Sequence, residues 1–197
     1  MSTEAEKFYE QAKFYFGEGE VHLGAEAMQQ AIKLDPKNYE FRLFEIDYLI
    51  ATNQMNIALE KLIQLRDKTK KTSMLREIYK RMIVAYEGTN ASMDVIKSLN
   101  WIISNSRFTL LDLMQRAFHK ERLSDFEGSL ADLNLAYSLA GKNKGVLLKR
   151  AQSLNKLGRF EDAIKDLDEI IELNEDSKIF LDAVHELRRK SQLGIIA

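Results

Sequence analysis

Two stretches of the carboxyl-terminal half repeat one another at a constant offset of 34 residues, and this self-similarity restricts the fold more than any other feature. Leu123, Phe126, Ser129, Leu133 and Ala136 fall on Leu157, Phe160, Ala163, Leu167 and Ile170. Aromatic, small and large apolar residues recur at matching places, as in a chain assembled from copies of one supersecondary unit. Around them apolar residues return every three or four positions, the helical period. One proline in 197 residues leaves such helices unbroken. Breaks at Gly17–Gly19, Asp35–Pro36, Thr52–Asn53, Gly88–Asn90, Gly141–Asn143 and Gly158 divide the chain. The spacing predicts helices near 5–17, 20–34, 38–53, 55–70, 73–88, 91–104, 108–122, 126–140, 144–156, 160–173 and 176–192.

The copies extend toward the amino terminus when units are started at Ala5, Tyr39, Arg76, Leu110 and Lys144. One place in the first helix then reads Ala12, Ile46, Ile83, Ala117 and Ala151. A small place in the second helix reads Gly24, Ala58, Val95, Ser129 and Ala163. A large apolar place four residues on reads Met28, Leu62, Leu99, Leu133 and Leu167, followed by Ala31, Leu65, Ile102, Ala136 and Ile170. This pattern resembles the tetratricopeptide repeat (TPR) family, whose unit is about 34 residues long. The resemblance covers residues 5–177 and is strongest in the first, fourth and fifth units. The proline that the family carries late in its unit is matched only by Pro36. The third start is displaced by three residues, which puts an insertion around Lys70–Ser73. Bulky Ile46 and Ile83 at a usually small place are expected to widen helix packing and bend the middle of the array.

The resemblance implies an all-α fold: a right-handed TPR superhelix, or α-solenoid, of about five helical hairpins plus a C-terminal capping helix. The whole chain, 1–197, reads as a single domain with repeats at 5–38, 39–72, 76–109, 110–143 and 144–177. The last helix carries Phe180, Leu181, Ala183, Val184 and Leu187 on one face and charges on the other, as a cap over an end stacking face requires. Its basic end, Arg188, Arg189 and Lys190, suits a helix carboxyl terminus, and a membrane surface is the sharper alternative. The tail Gly194–Ala197 is expected to be loose or to dock on a neighbour.

Composition removes several functional classes. The 29 Lys+Arg nearly balance 30 Asp+Glu, and the pI is near 6.3, so a general nucleic-acid binder is not expected. No cysteine is present, which excludes disulfides, thiolate zinc sites and a cysteine nucleophile. No apolar run approaches the length of a membrane span, and the acidic start of the chain lacks a leader's pattern, so a cytoplasmic protein is expected. His22, His119 and His185 sit in separate units without ligand spacing, and no phosphate loop, GxGxxG, HExxH or GxSxG occurs. The carboxylates Glu161, Asp162, Asp166, Asp168, Glu169 and Glu172 read as a solvated helix face with Lys165 in reach. No catalytic residue, cofactor or metal is expected, and the chain reads as a non-enzyme.

In the TPR family the first helix of each unit lines a concave, partner-binding groove. Carried over, the first unit offers Tyr9, Lys13 and Phe16, and the second Leu43, Phe44, Asp47 and Ile50. The third offers Lys80, Arg81 and Val84, and the fourth Leu111, Met114, Gln115 and Phe118. The fifth offers Leu148, Lys149, Gln152 and Asn155. Tyr9, Phe44 and Phe118 are the expected aromatic anchors. The alternative is that these rings pack against one another or the cap. One TPR subgroup clamps acidic chaperone tails; of its pattern only Arg81 is matched here, against Tyr9, Lys13, Phe44 and Glu77 elsewhere, so that role is not expected. Trp101 falls on the family's outer side, as a possible second interface or as an indole buried by an irregular repeat. The function expected from the resemblance is a non-catalytic scaffold or adaptor that binds a peptide or helical segment of another protein. A self-associating subunit, such as a homodimer, and a small TPR chaperone for a secreted or assembling partner are the alternatives.

Overall fold

The computed structural model describes residues 3–173 and 178–196. Among them are eleven helices and no strand: α1 (Glu4–Gly17), α2 (Val21–Leu34), α3 (Tyr39–Ala51), α4 (Met55–Lys68), α5 (Thr72–Gly88), α6 (Ser92–Asn105), α7 (Leu110–Arg122), α8 (Phe126–Ala140), α9 (Lys144–Lys156), α10 (Phe160–Glu172) and α11 (Lys178–Gln192). The expected start of the last helix at 176–177 and the terminal Ala197 lie outside the described residues. None of the helices is long and apolar enough to cross a membrane.

The chain forms two compact units, Met1–Asn90 and Ala91–Ala197. In unit 1 each of α1 to α4 packs on the next helix; in unit 2 each of α6 to α10 does the same. The third 34-residue segment is thus divided, with α5 closing unit 1 and α6 opening unit 2. Every residue at the four repeated places named above is buried, including Ile46 and Ile83. The three extra residues enter as a first turn added to α5, which at 17 residues starts before Arg76.

The hairpin turns obey the same register. Gly19, Asn53, Asn90, Ser124 and Gly158 all have positive φ, between 57° and 81°, and occupy one place in successive segments. Left-handed backbone there lets an amide reach back five residues: Glu20 to the Tyr15 carbonyl, Gln54 to Leu49, Asp125 to Lys120 and Arg159 to Leu154, at 2.8–2.9 Å. Glycine and asparagine adopt this conformation at least cost; Ser124 does not. The helix starts are capped by side chains: Thr3 with Glu6 and Thr109 with Asp112 form reciprocal capping boxes, and Asn38, Asp125 and Asn143 accept single amides.

Charges also follow the repeat. Arg116 Nε donates to Asp132 at 2.9 Å, and Arg150 Nε to Asp166 at 2.7 Å, each from the first helix of a hairpin to the second. The Asp132 and Asp166 side chains are only 5% and 6% exposed. At the matching places of unit 1 stand Glu45 and Lys61, 3.1 Å apart, the same pair with its signs reversed. Asp166 therefore departs from the solvated face expected of the acidic run, because Arg150 follows it out of water. Asp162 fits the expectation: it is held by Lys165 and Arg159 at 3.0 Å, and both cations keep its carboxyl below the usual range.

The last helix does cover an apolar face. Val184 is buried against Leu167 and Ile170, with Phe180 and Leu187 beside it. Arg188 pairs with Asp168 of α10, so part of the basic end of α11 holds the helix in place. Asn155 donates to Ser191 Oγ at 2.9 Å with no exposed surface. This corrects its assignment to the groove: its amide is sealed under α11 and anchors it.

Two outcomes check this account by chemical denaturation. Asp166→Ala leaves the part-buried Arg150 guanidinium with the Tyr137 ring, 3.9 Å away, but without its carboxylate and is expected to cost about 2–3 kcal/mol, whereas the double replacement Arg150→Met/Asp166→Leu stays within about 1–2 kcal/mol of wild type. Ser124→Gly is expected to gain, and Gly158→Ala to lose, about 1 kcal/mol.

Candidate protein-interaction surfaces

In unit 1 the first helices of the two hairpins bring Tyr9, Lys13, Phe16 and Phe44 together, and Asp47 joins Arg81 of α5. The Tyr9 ring lies 4.7 Å from buried Phe41 and 5.5 Å from Phe44, edge-on to the latter. Phe44 is 6.2 Å from Phe16, and Phe16 stacks on Tyr48 at 3.8 Å. Lys13 Nζ stands 5.3 Å over the Tyr9 ring and also binds Glu10. Beyond the rings, Asp47 takes both Nε and Nη2 of Arg81 at 2.7 and 2.9 Å, tying α3 to α5. The same carboxylate raises the Arg81 pKa further. Burial, then the carboxylates of Glu40 and Glu10, push the Tyr9 phenol above its ordinary value.

These rings are half-buried against each other, so in unit 1 the alternative of mutual packing describes Tyr9, Phe16 and Phe44. Leu43 and Ile50 likewise pack on the core of α3 and α4. Lys80 is exposed beside Glu77 at 3.6 Å, and Val84 is 48% exposed. Tyr48 was not among the expected groove residues; its signal is its place one turn after Phe44 on the same helix face. Gly24 is the other residue whose role was not foreseen beyond its smallness. A Cβ there would stand 2.5 Å from the Phe16 ring, so the ring lies directly on the bare backbone of α2.

Unit 2 is different. On α7, Leu111 is 71% and Phe118 45% exposed, two helical turns apart on one face. Met114 and Gln115 lie between them, both half-buried, with Met114 against the cluster around Leu113. The Arg122 guanidinium sits 5.9 Å over the Phe118 ring, and His119 meets that ring edge-on at 5.2 Å. His119 itself is buried, its Nδ1 3.2 Å from Ser92 Oγ of α6. From α9 come half-buried Leu148, Lys149 and Gln152, with Leu148 packed on the core. Trp101 is half-buried on α6, and its carbonyl accepts from the Asn105 side chain at 2.9 Å. Below this surface Glu121 accepts from Ser129 at 3.2 Å and from Ser153, which joins α7 to both following helices. Among the described residues no group of three or more acidic or histidine side chains is placed to hold a metal ion.

Comparison with known proteins follows the same geometry. Residues 145–177 match the sequence profile of the tetratricopeptide repeat. MamA from AMB-1 superposes with a TM-score of 0.68 at 15% identity, covering 91% of this chain and 97% of that one. A tetratricopeptide repeat protein from Parabacteroides merdae ATCC 43184 gives 0.70 at 15% identity, covering 96% and 73%. The chain carries the tetratricopeptide repeat fold. YrrB, described as a TPR protein with an unusual peptide-binding site, gives 0.63 at 13% identity over 85% and 88%. No curated protein matches the chain in sequence. In TPR terms, the small second-helix place of the first repeat is a glycine, and a first-helix aromatic lies across it. The Arg–Asp clasps of the fourth and fifth repeats lie within single hairpins.

Gly24→Ala tests that contact. The added methyl is expected to push Phe16 off Tyr48, cost about 1–3 kcal/mol and reduce the near-ultraviolet circular dichroism of the stacked rings, with helicity kept.

Proposed function

We propose that this TPR chain is a non-catalytic interaction scaffold whose α7–α9 surface receives a peptide or helical segment of another protein. The observation that carries the reading is the uncovered stripe Leu111–Phe118, large apolar side chains left in water on the helix face that other TPR proteins turn to partners. Exposed apolar surface of this kind favours association. Phe118 supplies an aromatic anchor, and Arg122 and Lys149 set a preference for acidic residues beside the partner's apolar ones. Unit 1 carries a surface of its own, the packed rings of Tyr9, Phe16, Phe44 and Tyr48 with Lys13 over Tyr9. The peptide-binding description of YrrB supports the same class of activity. A cytoplasmic adaptor or small chaperone fits this reading.

Affinity capture with wild type beside Leu111→Glu/Phe118→Glu tests it. Both residues are exposed enough for the variant to keep its helicity and melting temperature. Partners retained by wild type and lost by the variant are the expected result; equal capture by both overturns the assignment of this face.

A second reading, self-association, draws on Leu193, Ile195 and Ile196, which are 60%, 46% and 61% exposed after α11. Sedimentation equilibrium that gives a monomer at millimolar concentration removes it.

A further inference from the structure

Unit 1 holds a cleft of about 280 Å³ between α2, α3 and α4 that shares no residue with the aromatic patch. Its apolar side is formed by Ile32, Ile46 and Leu65, and its polar side by Lys33, Arg42, Lys61 and Glu45. Three cations thus face one carboxylate, and that carboxylate already accepts from Lys61 at 3.1 Å. The balance is opposite to that of the whole chain, whose formal charge is −1.

Arg42 is the unusual member. Its Nη2 donates to the Pro36 carbonyl at 3.0 Å, while its Nε is buried without a hydrogen-bond partner. A buried donor left unpaired is costly, and in native proteins such a group calls for a specific explanation. The chain shows what this edge of an arginine accepts. Arg81, Arg116 and Arg150 each direct Nε and Nη2 together onto one aspartate, the two-pronged geometry that suits a planar carboxylate. On Arg42 the same edge meets only a backbone carbonyl, and Lys33, in the last turn of α2, lines the same cleft.

From these observations we infer that the cleft is a carboxylate-binding site, with Arg42 as the fork, Lys33 as the second cation and the Ile32–Ile46–Leu65 side taking the ligand's apolar carbons. The volume admits a short dicarboxylate or one acidic side chain with an apolar neighbour. Glu45 opposes the ligand's charge and sets the affinity low, so its neutralisation strengthens binding. The site is independent of the α7–α9 surface, and neither assignment needs the other.

The test is an isotope-edited NMR titration of the full chain with sodium glutarate, with the blocked tetrapeptide acetyl-Ala-Glu-Leu-Ala-amide and with sodium phosphate. A carboxylate probe is expected to give saturable shifts centred on Ile32, Lys33, Ile46 and Leu65. Arg42→Gln is expected to weaken it at least tenfold, and Glu45→Gln to tighten it severalfold. Tighter glutarate identifies a free dicarboxylate as the source, and tighter peptide an acidic protein segment; both support the site. No saturable shift with either carboxylate, unchanged affinity in Arg42→Gln, or phosphate bound as tightly as glutarate overturns it. Should Arg42→Gln lose its helicity, the Glu45→Gln arm decides alone: a severalfold gain supports the site, and no gain refutes it.

Discussion

The close approach of paired helices at small residues is the constraint on which the rest of the structure depends. Ala12, Ala58, Ala117, Ala151 and Ala163 have at most 2% of their surface exposed, and each lets a neighbouring helix come near enough to bury the leucine or methionine that follows in the pattern. Such packing is possible only if each hairpin turns sharply at one place. The recurrence of positive φ at Gly19, Asn53, Asn90, Ser124 and Gly158 shows the turn preserved even where the side chain is not the cheapest. The three-residue displacement at Lys70–Ser73 is tolerated because it lengthens α5 at its start and leaves this register of packing and turning intact.

The apolar register was fully legible in the sequence. The small and large apolar places were assigned by the 34-residue offset, and each proved to be buried, while the aromatic place, Phe126 and Phe160, is half-buried; burial at the apolar places is dictated locally by helical period and by the neighbouring copy. Electrostatics was legible only in part. Asp162 and Asp166 lie four residues apart on one helix and look alike in sequence; one is solvated with Lys165, the other sealed against Arg150. The difference comes from what the preceding helix places opposite, which a single helical wheel does not contain. The offset did hold a signal, because Arg116 and Asp132 stand 34 residues before Arg150 and Asp166.

The candidate surface was legible as a set of positions and not as a state of exposure. Carrying the first-helix positions across placed Phe44 and Phe118 in the same role, yet the neighbours separate them. Tyr9 and Phe16 flank Phe44 in unit 1, whereas Phe118 has Arg122 over its face and His119 at its edge and remains 45% exposed. Asn155 illustrates the opposite loss: its position resembles a groove position, but it belongs to the last repeat, where α11 supplies Ser191 and closes over it. Array ends break the equivalence of repeats because one neighbour is replaced by a cap. The α2–α4 cleft escapes sequence reading altogether, since it joins side chains from three helices whose pairing emerges only in the folded unit.

The most direct measurement of the central claim, that unit 2 presents an uncovered face of α7 for a partner, uses the absence of cysteine from the chain. Gln115→Cys, between Leu111 and Phe118, gives a single reactive thiol that leaves both apolar side chains in place; its labelling rate by a maleimide is read by mass spectrometry, with Leu99→Cys as the buried reference. The account predicts labelling well above the reference in the isolated protein and strong protection once lysate freed of small thiols is added, with Leu99→Cys slow throughout. A Gln115→Cys thiol as slow as the buried reference in isolation, or equally fast with and without lysate, contradicts it.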